Sequence, residues 1–114
     1  MQRFRIKDFK KGWFFGNFKP ALFQNKDVEV AHQFHPKGYV GPAHFHAIAT
    51  EYNYIVRGAV ALYQKYDGVT SGSCYIEGEG WVVNPGEYFE TKFCEDTDLI
   101  VIKTPSVPGD WYSC

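Results

Sequence analysis

The chain has 114 residues, 45% of them hydrophobic and 18% aromatic, with a formal net charge of -1. That length suits one small domain with its own core, and the composition excludes a disordered or low-complexity chain. The near-neutral balance gives no electrostatic footprint for nucleic acid, no apolar run approaches a membrane span, and Met1 to Lys10 carries no signal-peptide pattern, so a soluble cytoplasmic protein is expected.

In chain order the signals are those of short strands. The aromatic stretch GWFFGNF (residues 12–18) is bounded by Gly12 and Pro20, with room for a short helix over Lys7 to Lys11 ahead of it. In DVEVAHQF (residues 27–34) the alternation places Val28, Val30, His32 and Phe34 on one face. Pro36 to Gly41 reads as a turn, followed by the short AHFH and then EYNYIV, which ends at Arg57-Gly58 as a hairpin signal. AVALYQKY comes next. Asp67 to Ser73, the most polar stretch, reads as an exposed hairpin tip. A tight turn follows at Gly78-Glu79-Gly80, another at Asn84 to Glu87, a strand YFETKF, and an apolar run Asp98 to Lys103 suited to a buried strand.

The two prolines and the glycine of the tail, TPSVPGDWYSC, leave it extended or looped. Strands at this spacing with Gly/Pro turns indicate an all-β sandwich or barrel. The expected layout is a single domain over residues 1–114, with 1–18 as an N-terminal arm and strand and 104–114 as an extended C-terminal tail. Cys74, Cys94 and Cys114 are too few and too widely spaced for a disulfide framework, and are read as reduced fillers, with Cys114 solvent-exposed.

One stretch carries chemistry. In a strand, residues i and i+2 share a face, so His44 and His46 project together and Phe45 points away. Glu51 opens the next strand. If that strand pairs back antiparallel, Glu51 points into the same space, with Asn53 and Ile55 on its face and Tyr52, Tyr54 and Val56 opposite. Two imidazoles and a carboxylate form a candidate three-ligand site for a divalent ion. His32 and His35, which lack such company, read as ordinary hydrogen-bonded or surface histidines.

The spacing Gly38, His44, His46, Glu51 and Gly58 resembles the first motif of the cupin superfamily without a gap. The resemblance implies a small antiparallel jelly-roll barrel whose interior is lined by His44, His46 and Glu51. It also implies a resident divalent ion such as Fe, Mn, Zn or Ni, and framing glycines that permit turns. In the second cupin motif a Pro-Gly turn precedes a fourth histidine ligand. Here Pro85-Gly86 aligns and the histidine position falls on Phe89. By parity Glu87, Phe89, Thr91 and Phe93 share one face.

Three states are compatible with that departure. One is a three-ligand metal site with open positions, as in non-haem iron oxygenases. Another is a metal-free cavity binding a small ligand. In the third, Phe89 plugs the interior of a scaffold. Asn53, Glu87, Phe89 and Thr91 are the candidate ligand-binding residues, and Glu51 serves as metal ligand or as general base. The expected function is binding of a divalent metal and a small organic, sugar-like ligand. Turnover as an isomerase, epimerase or dioxygenase is the enzyme branch, and a non-catalytic binding or structural protein is its rival. The family resemblance further implies self-association as a homodimer, for which Tyr39, Trp81, Tyr88 and Trp111 are candidate contacts.

Overall fold

A computed structural model describes residues 1–113, the side chain of Tyr66 excepted; Cys114 lies outside the described residues. Two 3-10 turns, Ile6–Asp8 and Lys10–Gly12, replace the expected helix. The strands are β1 (Trp13–Gly16), β2 (Phe23–Gln24), β3 (Glu29–His35), β4 (Val40–Phe45), β5 (Thr50–Arg57), β6 (Ala59–Tyr66), β7 (Val69–Ile76), β8 (Gly80–Val83), β9 (Phe89–Phe93), β10 (Thr97–Thr104) and β11 (Tyr112–Ser113). One sheet runs β2-β1-β3-β10-β5-β8 and the other β11-β4-β9-β6-β7. Every pairing is antiparallel except β1 with β2, so the fold is an all-β jelly roll.

Arg57-Gly58 does not close a hairpin. β5 and β6 lie in opposite sheets, and Gly58 turns the chain from one to the other. Its φ of +114° suits only glycine, and a Cβ there would strike Thr97 Oγ1 and come within 2.7 Å of the Asp96 carbonyl oxygen. The hairpin tip is also shorter than its polarity suggests. Only Asp67 and Gly68 form the loop between Tyr66 and Val69, with φ of +49° and +79°. Positive φ at both central residues is the twist a two-residue hairpin requires, and Asp-Gly supplies it cheaply. β7 begins directly afterwards.

β3 keeps its predicted alternation, but the barrel takes the other face. Register with β10 sets Ala31 opposite Val101 and Gln33 opposite Leu99. Glu29 and Ala31 are therefore buried, while Phe34 is 54% exposed. In β5, Glu51, Asn53 and Ile55 point in, and Tyr52, Tyr54 and Val56 point out, as parity requires.

Ile55, Val60, Leu62, Trp81, Val83, Phe89, Phe93, Leu99 and Val101 form the core with Ala31. A fully buried Ile such as Ile55 contributes about 1.5–3 kcal/mol. Trp81, read as a dimer contact, is instead a core residue, packed on Tyr75 at 5.3 Å. Cys74 and Cys94 are free, but both are exposed and fill nothing. No helix among the described residues is long and apolar enough to cross a membrane.

Candidate functional site

A cavity of about 360 Å³ opens between the sheets. One side is apolar and shared with the core: Trp81, Phe89, Phe93, Leu99 and Val101. The other is chemical. Of the residues singled out from sequence, His44, His46, Glu51, Asn53, Phe89 and Thr91 line it. Glu87 does not. Its carboxylate accepts the Asn84 N–H and a Gln64 amide hydrogen at the turn before β9.

A β-bulge in β4 aims the first histidine. Gly41 pairs with Thr91, yet His44 pairs with Phe89, so β4 spends one extra residue at Pro42-Ala43. Proline cannot donate to a ladder and is tolerated at such a break. The extra residue shifts the phase, and Gly41 and His44, three apart, both face the cavity. Phe89 then stands opposite His44 with ring centroids 4.5 Å apart. It occupies the fourth-ligand position of the motif without filling the interior.

His46 follows β4 and is 1% exposed. Its carbonyl accepts the Gly86 N–H at 2.6 Å, and its Nδ1 donates to the Asp110 carbonyl at 2.6 Å. His44 Nδ1 donates likewise to the Pro42 carbonyl at 2.7 Å. A carbonyl oxygen only accepts, so each Nδ1 carries the hydrogen and each neutral ring keeps its lone pair on Nε2.

His46 Nε2 is buried without a hydrogen-bond partner, 3.5 Å from Glu51 Oε1. Glu51 Oε2 accepts from Asn53 Nδ2 at 3.1 Å. Although β4 and β5 belong to opposite sheets and do not pair, the two heads meet across the barrel. Burial disfavours the imidazolium, but Glu51 and the Asp110 carbonyl outweigh it and raise the His46 pKa. Burial likewise works against the Glu51 carboxylate, and His46 and Asn53 outweigh it and lower its pKa. The pair therefore favours positive charge between Nε2 and the carboxylate, which a proton or a metal cation supplies.

His44 is held differently. Trp111 stacks on it at 5.1 Å and 21°, and burial pushes its pKa down. Among the described residues no three His, Cys, Asp or Glu heads yet surround one point. The donor chemistry nevertheless fits an ion. Backbone carbonyls fix both rings with Nε2 free, the usual support of metal-binding histidines, and the Nε2 of His46 has no other partner.

Sequence reasoning missed several residues here. Asp110, in the tail, accepts the N–H groups of Ala47, Ile48 and Ala49 at 2.8, 3.1 and 2.8 Å, which fixes the loop between His46 and Glu51. Glu29 and Lys103 line the cavity, as does His35, which stacks on Tyr39 at 4.9 Å. His32 stays on the outer face, 3.5 Å from Asp98, in keeping with its ordinary reading.

No protein-family model and no curated protein matches the sequence. Solved structures do match in fold. An uncharacterised conserved protein with a double-stranded β-helix domain from Klebsiella pneumoniae aligns with TM-score 0.67 and 15% identity, over 79% of this chain and 72% of that one. KdgF from Halomonas sp. aligns at 0.61 and 20%, over 73% and 74%. Oxalate decarboxylase from Bacillus subtilis aligns at 0.69 and 13%, over 77% of this chain but only 24% of that enzyme. Mn(II) centres are described for the oxalate decarboxylase.

Proposed function

Starting from the premise that the chain has the cupin fold of these structures, we propose that its barrel binds a divalent metal ion and a small polar organic ligand. The observation that carries this reading is the buried, unpartnered Nε2 of His46 facing the Glu51 carboxylate, with its Nδ1 hydrogen locked on Asp110. His46 and Glu51 would hold the ion, and His44 would join as third ligand. Imidazole and carboxylate donors suit Fe, Mn, Zn or Ni. Such an ion supplies a Lewis acid and a lowered pKa for bound water.

The chain's own residues do the rest. Phe89 contributes no donor atom and leaves one position to water or ligand. Asn53 orients Glu51 through its amide. Trp111 and Phe89 flank His44 and restrict water on that side. Asn53 and Thr91 offer polar edges for a ligand whose faces rest on aromatic rings.

Metal analysis of the purified protein after reconstitution with Fe, Mn, Ni and Zn tests the reading. About one ion per chain is expected, and none in His46→Ala. An absence of any bound ion in the wild type favours the second reading: a metal-free pocket with a proton between His46 and Glu51. That reading is supported by Phe89 at the place of the fourth ligand.

A further inference from the structure

Beyond the His46–Glu51 corner, the cavity holds a second charged group that the proposed metal site does not use. β10 is flanked by β3 and β5, and Lys103 pairs with Glu29 on one side and with Glu51 on the other. Directly opposed residues share a face, so Glu29, Lys103 and Glu51 form a row across three strands, pointing inward.

Lys103 is the cation of this row, half-buried with its side chain 13% exposed. Its Nζ lies 5.2 Å over the Trp13 ring and 3.8 Å from Glu29 Oε2. Neither contact is a hydrogen bond, and Nζ makes none to any described residue. Glu29 is anchored from its other oxygen, where Ser106 Oγ donates at 3.4 Å while accepting the Asn17 N–H at 2.8 Å. An ammonium group with three hydrogens and no acceptor, held against a cavity, calls for an oxyanion there.

The charges point the same way. Two carboxylates, one ammonium and a divalent ion leave one positive charge over in a low-dielectric space. A carboxylate balances that charge; a phosphate monoester carries closer to two.

We infer that Lys103 selects a ligand bearing a carboxylate, received by its Nζ beside Trp13. The rest of that ligand lies along the polar and aromatic walls toward His46. The metal part of this picture rests on the function proposed above; the lysine's free hydrogens do not.

A matched pair of probes tests it: D-gluconate and D-glucitol, which share a six-carbon chain and differ at one end in carboxylate against alcohol. Binding is read by quenching of tryptophan fluorescence, since Trp13, Trp81 and Trp111 line the cavity. Gluconate is expected to bind the metal-reconstituted protein at least about tenfold more tightly than glucitol, the value of one charge-assisted contact. Lys103→Met should erase that preference while leaving metal content intact, and Lys103→Arg should keep part of it.

If Lys103→Met does not fold, Glu29→Gln/Lys103→Met removes both charges and leaves none unpaired. Equal binding of the two probes, no binding of gluconate, or a preference that survives Lys103→Met overturns the inference. If the wild type takes up no ion yet prefers gluconate, and Lys103→Met abolishes that preference, Lys103 keeps its role and the metal site is what fails.

Discussion

The two chemical walls of the barrel are built in opposite ways. At the histidine corner both imidazole rings and the loop between His46 and Glu51 are held by hydrogen bonds to backbone groups. Asp110 caps three consecutive N–H groups, and its carbonyl holds His46, whose own carbonyl takes the Gly86 N–H. Across the cavity, the Glu29–Lys103 pair is an ion contact at 3.8 Å with no hydrogen bond in it. Backbone hydrogen bonds fix position to a few tenths of an ångström, whereas a loose ion pair in a cavity fixes charge but leaves donors unspent. The first wall is suited to holding something that needs fixed geometry, such as an ion. The second is suited to choosing a partner by charge.

Asp110→Ala should break the contrast most severely. It strips the acceptor from three adjacent N–H groups, of which that of Ala49 is buried and those of Ala47 and Ile48 can reach water. A loss of about 3 kcal/mol in unfolding free energy is expected, since charge-assisted bonds contribute about 1.5–3 kcal/mol each and water replaces some of them. Asp110→Asn, which keeps one acceptor oxygen, should cost about half as much. Chemical denaturation measures both. A loss under 1 kcal/mol for the alanine variant would mean that the tail does not set the His46–Glu51 loop.

Phe89→His comes next. In the metal-free protein it exchanges a buried ring for a polar one, at about 2 kcal/mol. If the corner holds an ion, a fourth donor now faces it, and added Zn should raise the melting temperature of Phe89→His more than that of the wild type. Differential scanning calorimetry with and without Zn decides, and an equal or smaller shift in the variant argues that position 89 does not face the ion.

Acid dependence separates the walls by sign. The three N–H groups outweigh burial and hold the Asp110 carboxyl below its ordinary value of 3.8. Its contribution is therefore present above that pH and is lost as pH falls through the lower folded value. Burial raises Glu29 above 4.5 in spite of Lys103. Its contribution is complete below 4.5 and is lost as pH rises through the folded value. Melting temperature against pH should show Asp110→Asn flattening the acid limb. Glu29→Gln should remove a decline that begins above about pH 4.5. If Glu29→Gln instead lowers stability near neutrality, the Lys103 pair outweighs the burial of its carboxylate.

Much of the histidine corner was legible in the sequence because its signals are local. Two histidines two apart and a glutamate at the head of the next strand each carry a fixed geometry. Parity grouped Phe89 with Thr91 and Phe93, and the resemblance to the second cupin motif turned that face inward. The features that escaped depend on sheet assignment or on distance along the chain. Gly58 was visible as a turn, but whether it closes a hairpin or crosses between sheets depends on strands far away. Asp110 binds backbone groups 61 to 63 residues earlier, and backbone N–H groups leave no mark in a sequence. Glu29 meets Lys103 only through the β3–β10 register, and the alternation of DVEVAHQF groups side chains by face without saying which face the barrel takes.

The smallest expected effect on stability falls where the walls meet the mouth. Trp111 is 47% exposed and stacks on His44. Such a ring pair contributes about 0.5–1.5 kcal/mol beyond burial, and at a half-exposed position Trp111→Ala should cost about 0.5 kcal/mol. The larger consequence is for His44. Burial is the main influence depressing its pKa, so opening that side should move its titration back toward 6.5, readable by NMR of the ring protons. The Pro42 carbonyl still fixes the tautomer. Freed from the indole but not from its backbone bond, His44 should turn more readily toward His46 and Glu51, and the variant should bind Zn at least as tightly as the wild type. Weaker binding would mean that the stack itself holds His44 in its ligating position, and that the rigid corner extends to the tail's tryptophan.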